Sequence, residues 1–521
     1  MSQRSAQLLQ LSEDKHDVLI IGGGINGASC AASLSAAGLK VVLVERGDFA
    51  SETSQQSSNL IWGGIKYLQN GSFRLVSKLC KSRNILMESY PSSVREIRYF
   101  TILQKSSPPR LWFYLGTWIY WLFGRGFTQK PKLLSPRKIR EETAAESVGG
   151  VEYSDAYLPD NDARFTFHFI RSAWKNGALA INYLEAVRCE RKDGIWVTTL
   201  RDAYNWVEYE VKSDMILNAA GPMVDELNLI NGIDTKSRII FSKGVHLIVP
   251  RIAEVKKVMT FFADDGRLFF AIPMESRTCI GTTDTPQDYW KSEVGEEDIE
   301  FILSNINARL KREMLLTEED VISTRCGVRP LAVKKGEKNH GDWMKLSRKH
   351  ITEVDQEKRY VSIYGGKLTD CINVGNELIE ICSQFGYSIK RNKWYGEDQG
   401  REEFLNKADS LRSNNLDGIG SKADRLWRRY GKEAYDFLSM IEEDADLANE
   451  AIEGTGVLKV EVVYAANHEM VVTLEDFLRR RTNLSLCHRL SDREDELLEI
   501  SRMLFGEQAE VRLCEYQKLI A

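Results

Sequence analysis

The feature that most narrows what this chain can fold into is Gly22-Gly23-Gly24-Ile25-Asn26-Gly27, set between an apolar run and a helical pattern. Asp17 to Ile21 (DVLII) reads as a strand buried on both faces, Ala28 to Ala37 as a helix, and Lys40 to Val44 as a second strand. That order makes a βαβ unit whose turn is G-x-G-x-x-G, the pattern of a Rossmann-type dinucleotide site. Gly22 permits the tight turn, Gly24 lets the backbone approach a pyrophosphate, and Gly27 lets helix and strand pack closely. The diphosphate then sits on the positive end of the helix, beside Asn26. Glu45 ends the second strand about 20 residues on, where a carboxylate accepts from ribose hydroxyls, and Arg46 comes directly after it. The glycines alone would also suit a plain turn; strand, helix and acid together argue against one.

At 521 residues the chain is expected to hold about three domains. A net charge of -5 provides no basic footprint for nucleic acid, and none is expected as a partner. Nine scattered cysteines without a C-x-x-C pair predict neither a disulfide framework nor a zinc site, and fit a reducing compartment. Seven histidines without ligand-like spacing predict no metal. The first fifteen residues lack an apolar core, so no signal peptide is expected. The longest apolar run, Leu111 to Phe123 (LWFYLGTWIYWLF), falls short of the roughly 20 residues that span a bilayer. It fits either a buried helix or an interfacial one with Arg110 and Arg125 reaching headgroups. Arg238 to Asp284 alternates as strands do, and the chain becomes helical and charge-rich from about Glu402.

The glycine turn does not choose between FAD and NAD. The segment after Arg46 does: Thr53, Ser54, Ser57, Ser58, Leu60, Trp62, Gly63 and Gly64 form a hydroxyl-rich run ending in a Gly-Gly turn, and Lys66-Tyr67-Leu68 come next. Further on stand Phe73-Arg74-Leu75-Val76, Glu152 to Asp155, Asp162-Ala163-Arg164, Asn218 to Pro222, Lys243 to His246, Ile280 to Asp284, Cys326 to Leu331, Tyr364 to Thr369 and Asp476 to Thr482. In this order the segments resemble those of the FAD-dependent glycerol-3-phosphate dehydrogenases, within the D-amino-acid-oxidase-like flavoproteins, over nearly the whole chain.

The resemblance implies an α/β plus α fold. A discontinuous Rossmann-type FAD-binding domain (1–91, 150–235 and 325–390) carries an inserted β-rich substrate domain (92–149 and 236–324), followed by a C-terminal helical domain (391–521). It implies non-covalent FAD held by the residues above together with Val187, Ala219, Gly221, Gly365, Gly366, Lys367, Leu368 and Thr369. It places His246, Arg329 and Lys367 as catalytic groups, with Lys66, Tyr67 and Arg348 on the substrate. The chemistry suits such a set: an imidazole takes a hydroxyl proton and guanidinium forks hold a phosphate. The implied reaction oxidises sn-glycerol 3-phosphate to dihydroxyacetone phosphate and passes electrons to quinone. A cytoplasmic location, peripheral contact with the inner face of a membrane and a homodimer are further expectations.

Two positions depart from the family pattern. Trp62 stands where relatives carry histidine, which excludes a covalent flavin link there; Lys66 stands where they carry arginine, which removes a bidentate phosphate contact. Two alternatives therefore stay open: an oxidase or dehydrogenase of another phosphorylated or acidic alcohol, and a non-catalytic FAD-binding protein at a membrane.

Overall fold

A computed structural model describes residues 2–12, 14–69, 71–105, 107–143, 147–252, 256–263, 265–310, 315–336, 349–410 and 419–520. The expected substrate residue Arg348 lies outside them.

The βαβ unit forms as expected. Strand His16–Ile21 pairs in parallel with Val41–Val44 on one side and with Glu208–Asn218 on the other. Leu179–Ile181 continues the parallel sheet beyond Val41–Val44, and Tyr360–Tyr364 extends it beyond Glu208–Asn218. The run DVLII lacks alternation because both faces are covered. Val18 and Ile20 pack with the helix residues Ala28, Ala31 and Leu34, while Leu19 and Ile21 pack with Trp196, Leu200 and Val211. The second group comes from the antiparallel ribbon Ile195–Asp202 and Glu208–Asn218, a layer opposite the helices. Helix Ile25–Ala36 (INGASCAASLSA) carries mostly Gly, Ala, Ser and Cys because it is buried on nearly every side. It packs against helices Asp162–Lys175 and Cys371–Gln384, and its Ser33 hydroxyl donates to the Gly375 carbonyl at 3.1 Å.

A second, ten-stranded sheet stands beside this one. Its spine is the antiparallel pair Ser237–Pro250 and Ser323–Lys334, in register from Ser237 opposite Lys334 to Ile248 opposite Ser323. The sheet then runs through Arg277–Gly281, Leu268–Met274 and Val258–Phe262 to Arg95–Leu103 and Gly149–Tyr157. Strands Gly149–Tyr157 and Ser323–Lys334, whose residues from 150 and from 325 the sequence boundaries place in the nucleotide domain, are thus strands of the second sheet. Their ladder partners, Arg95–Leu103 and Ser237–Pro250, settle their place, and strand patterning alone does not reveal partners. The aromatic run forms helix Arg110–Phe123, with Thr117 and Tyr120 buried and one face left exposed.

The C-terminal helices dock through buried ion pairs. Asp48 accepts from Arg480 Nε at 2.6 Å and from Arg481 at 2.8 Å, and Asp160 accepts from Arg428 and Arg429 at 2.8 and 2.7 Å. The basic run Arg479–Arg481 is therefore buried. Arg481→Met strips Asp48 of one partner in a dry setting and is expected to cost about 3–5 kcal/mol, read as a fall in urea midpoint. The pair has a pH signature. Burial opposes ionisation of Asp48, but Arg481 and Arg480 outweigh it and hold the carboxyl down at about 2. Its stabilisation is present above the ordinary carboxylate value near 3.9 and is lost as pH falls toward the folded value. In Arg481→Met the acid-unfolding limb should therefore begin at higher pH.

Candidate functional site

At the carboxyl ends of the parallel strands lies a cleft that opens to solvent. Gly22, Gly24, Asn26, Glu45, Arg46, Thr53, Ser54, Ala219, Gly221, Gly365 and Gly366, all expected cofactor residues, line it. Each glycine of the turn is there for a separate reason. Gly22 has φ +112°, and a Cβ on it would stand 2.5 Å from the Ala219 carbonyl oxygen. A Cβ on Gly27 would meet the Gly22 carbonyl oxygen at 1.9 Å, so helix and strand approach only because it has none. Gly24 is the helix N-cap and faces the cleft.

The polar groups around the helix end are set in advance. Glu45 accepts from the Gly23 and Gly47 amides at 2.7 and 2.9 Å, which fixes its carboxylate at the cleft wall. Burial raises its pKa, and those two amides work against the rise. Ser54 Oγ accepts from the Ile25 amide at 3.0 Å, and Thr53 donates to the Val328 carbonyl at 2.9 Å, tying the hydroxyl-rich loop to both sheets. Asn26 donates to the Gly365 carbonyl at 2.9 Å, while its Oδ1 is buried without a hydrogen-bond partner. An orphaned acceptor in a cleft walled by glycines, a helix N-terminus and a carboxylate fits a dinucleotide cofactor. The Arg46 guanidinium lies 4.5 Å from the ring centre of Trp290, another residue of the cleft wall. Val187 stands at the bulge between Ala186 and Arg188, next to the lining residue Ala186 but not itself among the lining residues.

Beyond Gly366 the site turns aromatic and cationic. Lys367 Nζ lies 4.4 Å from the Tyr67 ring centre and 5.8 Å from that of Trp62, and Lys66 Nζ lies 5.9 Å from Tyr67. Trp62 meets Tyr67 and Phe270 at centroid distances of 6.4 and 6.3 Å. The Gly63-Gly64 turn is backed by a buried network: Asp155 accepts from the Gly63 amide, from Tyr120 OH at 2.6 Å and from Arg83 at 2.9 Å. A Cβ on Gly63 would meet Tyr120 Oη at 2.2 Å, and Gly64 has φ +81°. The turn is thus fixed to the aromatic helix from behind.

On the second sheet, Ser242, Gly244 and His246 stand opposite Arg329, Gly327 and Arg325, one face by the two-residue period of a strand. The Arg329 guanidinium lies across Gly244 and donates to Asp284 Oδ1 and Thr282 Oγ1 at 3.0 Å each. His246 is 3% exposed, and neither ring nitrogen has a hydrogen-bond partner. Burial, then Arg329 and Arg325, push its pKa down to about 3, so the ring is neutral at physiological pH and able to take a proton.

Other expected residues act through the backbone or through packing. The Ser57 amide donates to Asp162 at 2.7 Å; Ser58 is half-buried; Leu60 pairs with Tyr157 across the second sheet; Leu368 packs on the nucleotide core and Thr369 is buried. Sequence reading missed Arg325, a fully buried guanidinium that binds Ser57 O and Asn59 Oδ1. The available signal was its spacing, since Arg325, Gly327 and Arg329 alternate on one strand face. It also missed the cleft residues Leu184 to Ala186, Met223, Leu227, Ile230 and Trp290, which carry no motif.

Comparisons with known proteins agree with this geometry. A family model described as FAD dependent oxidoreductase matches residues 17–354, and one for the C-terminal domain of alpha-glycerophosphate oxidase matches residues 399–502. The chain is 32% identical over 529 residues to glycerol-3-phosphate dehydrogenase 2 of Mycobacterium tuberculosis, covering 97% of this chain and 87% of that one. It is 30% identical over 504 residues to the glycerol-3-phosphate dehydrogenase of Pseudomonas aeruginosa, covering 93% and 95%. The X-ray structure of the Bacillus halodurans glycerol-3-phosphate dehydrogenase complexed with FAD superposes with a TM-score of 0.76 at 25% identity, covering 99% of this chain and 97% of that one. The cofactor is FAD, and the enzyme is an FAD-dependent oxidoreductase. With matching segments over nearly its whole length and the cleft that those segments build, the chain belongs to the FAD-dependent glycerol-3-phosphate dehydrogenase family.

Proposed function

We propose that the protein oxidises sn-glycerol 3-phosphate to dihydroxyacetone phosphate and passes the electrons to quinone. The observation that carries this reading is the neutral, unpartnered His246 on the same sheet face as Arg329, with Lys66 and Lys367 gathered at Tyr67. Relatives named glycerol-3-phosphate dehydrogenase along nearly the whole chain support the substrate.

FAD, when bound, would supply the hydride acceptor; Gly22, Gly24, Asn26 and Glu45 would hold its nucleotide half, and Gly365, Gly366 and Trp62 would serve its ring. His246 removes the hydroxyl proton through a ring nitrogen as the carbonyl forms. Its depressed basicity rises when a phosphate dianion arrives beside Arg329, because that charge offsets the guanidinium that disfavours protonation. Arg329, fixed by Asp284 and Thr282, offers a rigid fork, and Lys66 and Lys367 add point charges. Lys66 keeps the charge expected at its position without the fork, so phosphate orientation falls to Arg329 and, from the sequence, Arg348.

Quinone lies in the membrane, and the aromatic helix is the surface that supports contact with it. Leu111, Trp112 and Leu122 are 63%, 73% and 63% exposed, Leu115 and Ile119 are exposed on the same side, and Arg110 begins the helix. No helix among the described residues is long and apolar enough to cross a membrane. The test is anaerobic: millimolar glycerol 3-phosphate should bleach the flavin, and quinone in lipid vesicles should restore the colour faster than air does. No bleaching sinks the substrate; faster return in air makes the protein an oxidase.

A further inference from the structure

Behind the glycine loop that ends the FAD cleft stands a histidine with two acidic partners. His350 opens strand Ile351–Asp355, whose Ile351 pairs with Tyr364, and so lies next to Gly365 and Gly366. A Cβ on Gly366 would touch Asn26 at 3.3 Å on one side and His350 Cβ at 3.5 Å on the other. The His350 ring is 2% exposed; Nδ1 lies 2.6 Å from Asp370 Oδ2 and Nε2 lies 2.8 Å from Glu377 Oε2. Both acids belong to the segment that the loop feeds: Asp370 caps helix Cys371–Gln384 and Glu377 lies two turns into it. Asp370 is fixed in turn by Asn373 Nδ2 at 2.6 Å and Lys78 Nζ at 3.6 Å.

We propose that His350 is a positioning residue: held as an imidazolium between Asp370 and Glu377, it locks the Gly365–Thr369 loop, and with it Lys367, against the flavin ring. The charge state is set by the contacts. A neutral imidazole has one N–H, and its other nitrogen would face a carboxylate lone pair; only the doubly protonated ring donates to both acids. Burial pushes the ring's pKa down, but hydrogen bonds to Asp370 and Glu377 outweigh it and the net direction is up. The charged groups facing the ring among the described residues are those two acids from the helix and, through Asp370, Lys78 from helix Phe73–Ser89. The nucleotide helix contributes the neutral Asn26. The acids sit on opposite ring nitrogens and do not converge, so the cluster does not make a metal site. Because the folded pKa is raised, the clamp is complete below the ordinary histidine value near 6.5 and is lost as pH rises through the folded value.

The inference rests on the flavin ring lying against Gly365–Thr369, but its readout needs no substrate. The visible spectrum of the FAD-bound enzyme is followed with pH in wild type, His350→Gln and Glu377→Gln. Wild type should show a spectral transition above pH 6.5. His350→Gln should abolish it, and Glu377→Gln, which removes the more exposed acid, should move its midpoint about one pH unit lower. Where His350→Gln does not fold, the Glu377→Gln shift decides alone. A wild-type spectrum flat with pH, or a transition indifferent to both substitutions, overturns the clamp. Lys367→Ala separates the two layers: no spectral change in that variant fails the placement of the ring, whereas a change there beside a pH-flat wild type fails only the clamp.

Discussion

His246→Asn is expected to lower kcat for glycerol 3-phosphate by roughly 10²–10⁴-fold, the range that a positioned general base contributes, while leaving FAD bound. The smaller side chain suits the site, because Gly281 packs so closely that a Cβ there would stand 2.8 Å from His246 Cδ2. The loss should fall on kcat and kcat/KM together with KM little changed, because proton removal belongs to the transition state whereas the phosphate contacts of Arg329 remain. Anaerobic single-turnover bleaching measures the step directly. A bleaching rate within tenfold of wild type would assign the base elsewhere. The free enzyme should show no His246 ionisation near neutrality, since burial and the two arginines hold the ring's pKa down at about 3.

The dinucleotide half of the site was legible because its chemistry is local. Gly22, Gly24, Gly27 and Glu45 lie in one βαβ unit, and the backbone geometry that the sequence pattern encodes leaves no room for a Cβ at Gly22 or Gly27. The substrate half was legible mainly through resemblance. His246 and Arg329 come from distant segments, and only the pairing of Ser237–Pro250 with Ser323–Lys334 puts them on one sheet face, while Lys367 follows strand Tyr360–Tyr364 and lies at Tyr67. Hydrophobic periodicity does not carry strand partners, which is also why the sheet that Gly149–Tyr157 and Ser323–Lys334 join could not be read from the sequence. The buried arginines expose a different limit. Arg83, Arg325 and Arg481 look like surface residues by composition, yet Asp155, Asp162 and Asp48 take them into the interior. Such pairs join segments far apart in the chain, and no local window contains both partners.

Gly27→Ala and Gly24→Ala should separate the two jobs done by one turn. The Cβ at position 27 would lie 1.9 Å from a backbone carbonyl oxygen and 3.0 Å from its carbon, atoms that cannot rotate away. Helix Ile25–Ala36 must therefore back off the sheet, and overpacking of this kind costs about 1–3 kcal/mol, occasionally more. That cost falls on the protein without cofactor, so the FAD-free form of Gly27→Ala should melt several degrees lower. The displaced helix end then also binds FAD more weakly. The Cβ at position 24 meets only the Ser54 hydroxyl, at 3.2 Å, which a shift of a few tenths of an ångström relieves with the bond to the Ile25 amide kept. The FAD-free form of Gly24→Ala should therefore melt near wild type. It should still lose FAD affinity, by roughly tenfold or more for each 1.4 kcal/mol of misfit, because its methyl points into the cleft where the pyrophosphate approaches. Melting of the FAD-free proteins and titration of the two variants with FAD measure both quantities. Equal melting losses in the two variants would mean that position 27 is not a packing contact, and full FAD affinity in Gly24→Ala would remove the diphosphate from the end of this helix.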